Sequence, residues 1–165
     1  MKDELWNILT KTTDWIKHSD TKAVLILTIH GVILTIIYTN SGRVFEYTIY
    51  NWVTKLFTLL IATTILGSII FSFLVINPKL KNNNPTSLIF FGHIQKRFKT
   101  HNEYYQAVIS TLSTNSNLEE QLAEQIHSTS KIAWTKFYQV TISIRFFFAS
   151  LVLFTINLLY YFFSK

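Results

Sequence analysis

The residues best suited to chemistry sit in one short segment, Gly92-His93-Ile94-Gln95-Lys96-Arg97-Phe98-Lys99-Thr100-His101, with Tyr104 and Tyr105 just beyond it. Fixed cations beside aromatic rings suit an anionic ligand with a flat base: Lys and Arg give charge-assisted hydrogen bonds to a phosphate, and the rings offer stacking faces. Lys96, Arg97, His101 and Tyr105 are therefore the candidate ligand-binding residues. The same composition also fits a solvated basic loop beside anionic lipid. A helix predicted over residues 102–112 would add free backbone N–H groups, as every helix does.

Other chemistries find little support. The carboxylates are few and scattered, and neither His-x-Glu, His-Glu-x-x-His nor a Gly-rich phosphate loop occurs. His93 and His101 stand eight residues apart with no acidic third ligand between them, so no metal site is expected. The chain has no cysteine, which removes thiolate nucleophiles, disulfides and Cys-rich metal sites. Neither an enzyme nor a cofactor is expected.

The elements that would position the basic segment are set by three long apolar runs. They predict transmembrane helices over about residues 22–39, 54–76 and 143–163, each near the ~20 residues needed to cross ~30 Å of hydrocarbon. Runs two and three hold no charged residue between Phe57 and Ile76 or between Phe146 and Phe163, whereas the first carries His30 and Gly31 near its middle. An ionised side chain at that depth costs several kcal/mol, so their absence is informative. His30 and Asn157 are polar groups at membrane depth that should face a partner helix or a wet cavity. Thr64, Ser68 and Ser72 recur every fourth residue beside Thr63 and Gly67, a ridge of small residues that allows close helix approach. That ridge serves either packing within one chain or self-association of several.

With 165 residues, 49% of them hydrophobic, the chain is too short for several soluble domains and too apolar for disorder. One membrane-embedded unit is the expectation: an all-α membrane protein with an N-terminal amphipathic helix, three spans and a cytoplasmic helical region running into the third. Residues 3–18 place Leu5, Trp6, Leu9 and Ile16 on a helical period, the pattern of a helix at the membrane surface. Asp3, Glu4, Asp14 and Asp20 interrupt any signal-peptide pattern before the first span.

Charge distribution predicts orientation. Lys2, Lys11, Lys17 and Lys22 precede span one, and Lys79, Lys81, Lys96, Arg97, Lys99, Lys131, Lys136 and Arg145 lie between spans two and three. Between the first apolar run and the uncharged run that starts at Phe57 the cations are Arg43 and Lys55 alone. The positive-inside rule then puts the N-terminus and the region over 77–142 in the cytoplasm, with the short connection around Gly42 outside.

Asn40-Ser41-Gly42 reads as the turn of a tight external connection. Pro78 stops the second span, because proline pushes Asn77 out of the α region. Residues 79–85 read as an exit loop. The apolar stretch Thr86-Ser87-Leu88-Ile89-Phe90-Phe91-Gly92 is too short to span and must pack under the bundle, lie at the interface or meet a partner. Thr100-x-x-Glu103 and Ser116-x-x-Glu119 are capping boxes that open two helices. The second helix carries Leu118, Leu122, Ile126, Ala133, Phe137, Val140 and Ile144 on one stripe and meets no Gly or Pro, so Leu118 to Phe163 reads as nearly continuous helix.

Several of these features occur together in one family. Asp20-Thr21-Lys22-Ala23 before span one, Asn77-Pro78 after span two, Phe90-Phe91-Gly92-His93-Ile94, Glu103-Tyr104-Tyr105, and Gln125-Ile126-His127 with Lys131 and Lys136 resemble the transmembrane effectors of the Pycsar anti-phage systems. The resemblance covers nearly the whole chain. It implies a bacterial inner-membrane protein that responds to a cyclic pyrimidine mononucleotide (cCMP or cUMP) by oligomeric rearrangement and impairs the membrane, causing abortive infection. The implied partners are that nucleotide, the lipid bilayer and further copies of the chain, with no nucleic acid. It hands over no ligand-binding residues. The alternative is a constitutive scaffold or accessory subunit whose cytoplasmic stalk binds another protein.

Overall fold

The computed structural model describes residues 2–77, 87–112 and 115–164. All regular structure among them is helical: α1 (Lys2–Thr39), α2 (Ser41–Ile49), α3 (Trp52–Ile76), α4 (Phe91–Arg97), α5 (His101–Leu112) and α6 (Asn115–Ser164). Three of these, α1, α3 and α6, are long and apolar enough to cross a membrane. The protein is an all-α membrane protein. The exit loop expected over 79–85, and Thr86 after it, lie outside the described residues.

The chain divides into two compact units, Met1–His18 with Pro78–Thr135, and Ser19–Asn77 with Lys136–Lys165. In the second, membrane unit, Ala23, Val75 and Val140 come one from each long helix and form a fully buried apolar contact, with Ile144 packed against it. Around that contact the buried positions are mostly polar. Ser19 and His30 on α1, Thr54, Ser68 and Ser72 on α3, and Lys136, Ser143, Ser150 and Asn157 on α6 are all buried, while Leu25, Leu59, Phe148 and Leu159 are exposed. The unit is therefore patterned inside out, as lipid demands: hydrocarbon solvates Leu and Phe as well as a core does, so close packing and hydrogen bonding decide what faces inward.

The small-residue ridge of α3 packs against α6 of the same chain. Ser72 Oγ and Ser143 Oγ are 2.7 Å apart, the Ser68 hydroxyl donates to the Ser143 carbonyl at 3.0 Å, and the Ser143 hydroxyl reaches the Ser68 carbonyl at 2.8 Å. Gly67 allows the approach. A Cβ there would stand 3.2 Å from three carbons of the Phe146 ring, which itself stacks on Phe71. Gly67→Ala is expected to lower the melting temperature in detergent: overpacking of about 1–3 kcal/mol against a pinned ring exceeds the ~1 kcal/mol that alanine gains in helix propensity. A higher melting temperature would show that Phe146 yields.

The two ends of the unit are fastened differently. At one, the Lys136 ammonium donates to Asp20 Oδ1 at 2.6 Å. At the other, the Tyr47 hydroxyl donates to Asn157 Oδ1 at 2.5 Å and the Asn51 amide to the Tyr160 hydroxyl at 3.0 Å. Asn51 also caps α3 in a reciprocal box with Thr54. In Asn40-Ser41-Gly42, which reads as the turn of a tight connection, Asn40 is a turn residue and N-cap, while Ser41 and Gly42 already belong to the nine-residue helix α2. The reason is tertiary: as a helix, the segment sets Tyr47 against both Asn157 and the Tyr161 ring. Asn77 leaves α3 in an extended conformation, as the following proline requires.

In the first unit, the segment before α4 is held by its backbone. Leu88 N–H donates to Gln121 Oε1 at 3.1 Å, and the Tyr104 hydroxyl donates to the Leu88 carbonyl at 3.0 Å. Ser87 Oγ accepts from Ile89 and Phe90 N–H groups at the head of α4. Glu103 N–H donates to Thr100 Oγ1 at 3.3 Å, so the predicted cap of α5 forms. Its reciprocal bond goes one residue further back, from Lys99 N–H to Glu103 Oε2. α6 begins at Asn115, so Ser116 lies inside its first turn.

Candidate functional site

The four candidate residues lie on α4, α5 and the short turn between them. Lys96 and Arg97 occupy the last turn of α4, where cations meet the negative end of the helix. Phe98 leaves the helix with extended backbone angles, and the Arg97 guanidinium lies over its ring, 5.3 Å from the centroid. Phe98 in turn packs edge-on against Tyr104 at 5.5 Å. His101 and Tyr105 stand one turn apart on α5 with nearly parallel rings, centroids 6.1 Å apart and planes inclined by 11°. All four candidates are exposed.

The structure therefore gathers the candidates as two pairs, a cationic pair on α4 and a ring pair on α5, joined by three residues of turn. Phe98 and Tyr104 link the turn to α5 and fix its course. His93 is buried (4% exposed) with its ring against Phe90 at 5.0 Å. Gly92 permits that packing, since a Cβ there would come within 2.8 Å of the Phe90 ring.

The sequence model of the Pycsar effector protein domain matches residues 4–162. The chain belongs to the Pycsar effector family. Membership makes it an effector of anti-phage defence seated in a membrane, within a family of effectors rather than catalysts. The chain is similar to the Pycsar effector protein PtPycTM of Propioniciclava tarda, with 24% identity over 138 residues, 81% of this chain and 67% of the relative. No solved structure matches the chain at a significant level.

Two features of this family member lay outside the sequence reading. One is the aromatic cluster of Tyr47, Tyr160 and Tyr161 around Asn157, which lines clefts of about 340 and 450 Å³ at the α2 end of the membrane unit, with Arg43 at both. Burial pushes the Tyr47 phenol above its ordinary value, with Tyr160 and Tyr161 adding to the effect and the bond to Asn157 opposing it. The other is the spacing of the buried positions on α6. Leu122, Thr129, Lys136, Ser143, Ser150 and Asn157 are all buried and follow one another at seven-residue steps. Within the third span the signal was polarity at regular spacing, at Ser143, Ser150 and Asn157.

Proposed function

We propose that this effector recognises a cyclic pyrimidine mononucleotide, cCMP or cUMP, through its first unit and responds by impairing the membrane that holds it, so that an infected cell stops growing. The observation that carries the ligand class is the arrangement of two cations and two parallel rings within ten residues. Lys96 and Arg97 take the cyclic phosphate in charge-assisted hydrogen bonds, and the base stacks on the His101 and Tyr105 rings. The chain lies in the bacterial inner membrane with its N-terminus in the cytoplasm, in keeping with the Lys and Arg bias of residues 77–142. Segments 22–39, 54–76 and 143–163 span the bilayer, and several copies rearrange together. Binding acts through α6, a single helix that contributes residues to both units. For this to work the ligand must bind one protomer arrangement better than the other.

Thermal unfolding of the purified protein in detergent tests the reading. A cyclic pyrimidine nucleotide at ~100 times its Kd is expected to stabilise by about 2.7 kcal/mol, and cAMP or cGMP not at all. The double variant Lys96→Ala, Arg97→Ala should lose that stabilisation while keeping its own unfolding temperature and membrane insertion. A folded, monodisperse sample that no cyclic nucleotide stabilises would favour the scaffold reading. An unchanged response in the double variant would move the site elsewhere.

A further inference from the structure

The buried face of α6 in the membrane unit is polar at every seventh residue, through Lys136, Ser143, Ser150 and Asn157. Within the third span the line runs from Ser143 to Asn157, fourteen residues of helix that rise about 21 Å, so it crosses most of the ~30 Å of hydrocarbon. Ser68 and Ser72 of α3 meet it at Ser143, and His30 of α1 is buried in the same unit. His30 is 1% exposed and packs edge-on against Phe147, centroids 5.4 Å apart, one turn from both Ser143 and Ser150.

The hydrogen bonding of His30 is half complete. Its Nδ1 lies 2.8 Å from the Ile26 carbonyl, so Nδ1 carries the proton and donates it. Nε2 then presents a lone pair, buried and without a partner. Gln139 Oε1, one turn from Lys136 and Ser143, is a second buried acceptor without one. An unmet buried acceptor is destabilising, and an apolar residue in either place would avoid that cost. The other ionisable groups of the line are the Asp20–Lys136 pair at one end and Tyr47, Tyr160 and Tyr161 at the other; α3 contributes hydroxyls alone to its middle.

We propose that this seam is the route by which protons cross the membrane when the effector acts, with His30 as the relay. A proton arriving through the hydroxyl line adds to the Nε2 lone pair and gives an imidazolium with two N–H groups. Release of the Nε2 proton toward the opposite end restores the neutral ring. One proton moves down its gradient, and no covalent bond other than N–H is made or broken. The seam excludes larger solutes, because Ser72 and Ser143 touch across it at 2.7 Å. The lesion is then a loss of proton gradient along the seam inside each protomer, opened when the copies rearrange. This rests on the membrane-impairing function proposed above and specifies its path.

The test reconstitutes the full chain into vesicles of phosphatidylethanolamine and phosphatidylglycerol, with a pH-sensitive dye and a larger inert dye inside, a pH gradient across the wall, and cUMP or cCMP outside. Proton entry without escape of the larger dye is expected. His30→Gln, and His30→Phe as a second variant, should cut proton entry by about 10²-fold or more, the scale of a lost proton-transfer group, while nucleotide still stabilises the protein. Proton entry unchanged in both variants, or escape of both dyes together, would overturn the route. Nucleotide stabilisation without any flux would overturn it too, yet leave nucleotide recognition standing.

Discussion

Asp20→Asn is expected to cost the membrane unit about 3 kcal/mol, the lower end of the range for breaking a buried ion pair. The Lys136 side chain is 7% exposed and the Asp20 side chain 37%, so the substitution strands an ammonium group with little access to water. The better-hydrated partner suffers less when left alone, which makes the pair asymmetric: Lys136→Met should cost much less than Asp20→Asn. The double variant should recover most of the loss, since it removes the stranded charge. Melting temperatures of the three proteins in one detergent decide the matter. Equal losses in the two single variants, with no recovery in the double, would refute the stranded-cation account.

Ser143→Leu carries the second large effect, on the order of 4 kcal/mol. Ser143 is fully buried and its hydroxyl stands 2.7 Å from Ser72 Oγ and 2.8 Å from the Ser68 carbonyl, which leaves no room for a branched side chain. Overpacking of about 1–3 kcal/mol adds to the cost of leaving the Ser72 hydroxyl without its partner. Ser143→Ala should cost only about 1 kcal/mol, since interhelical hydrogen bonds in membrane bundles average ~0.6 kcal/mol. Thermal unfolding measures both, and light scattering in detergent adds a control. A changed protomer number with an intact melting temperature in Ser143→Leu would mean that the Ser68–Ser72 ridge meets another copy of the chain.

What could be read from the residues follows the physics of each signal. The apolar runs and the unbroken course of α6 were legible, because length in hydrocarbon and freedom from Gly and Pro are local properties. The stop at Asn77-Pro78 and the cap at Thr100 were legible for the same reason. His30 and Asn157 stood out as polar groups in apolar runs, and each now faces a partner, Phe147 and Tyr47. The inward stripe of α6 was misread in part. Counting apolar residues selects Phe137, which is 43% exposed, and passes over Thr129, Lys136 and Ser143, which are buried. In water the apolar face turns inward, whereas at Ser143, inside the third span, that rule loses its force in lipid. The helix α2 was hidden because its stabilising contacts reach more than a hundred residues along the chain, to Asn157. At the candidate site, composition revealed the cations and rings, while their division into an α4 pair and an α5 pair depended on where α4 ends.

The seven-residue spacing on α6 has a mechanical corollary. A straight helix drifts by ~20° for each heptad, so from Lys136 to Asn157 the buried line would wander by about 60°. Keeping all four positions inward therefore requires α6 to wind left-handed around its neighbours, slightly overtwisted along its whole membrane passage. Such a winding stores torsion. Relaxing it would turn Asn157 relative to Lys136, so the contacts with Tyr47 at one end and Asp20 at the other would not both persist.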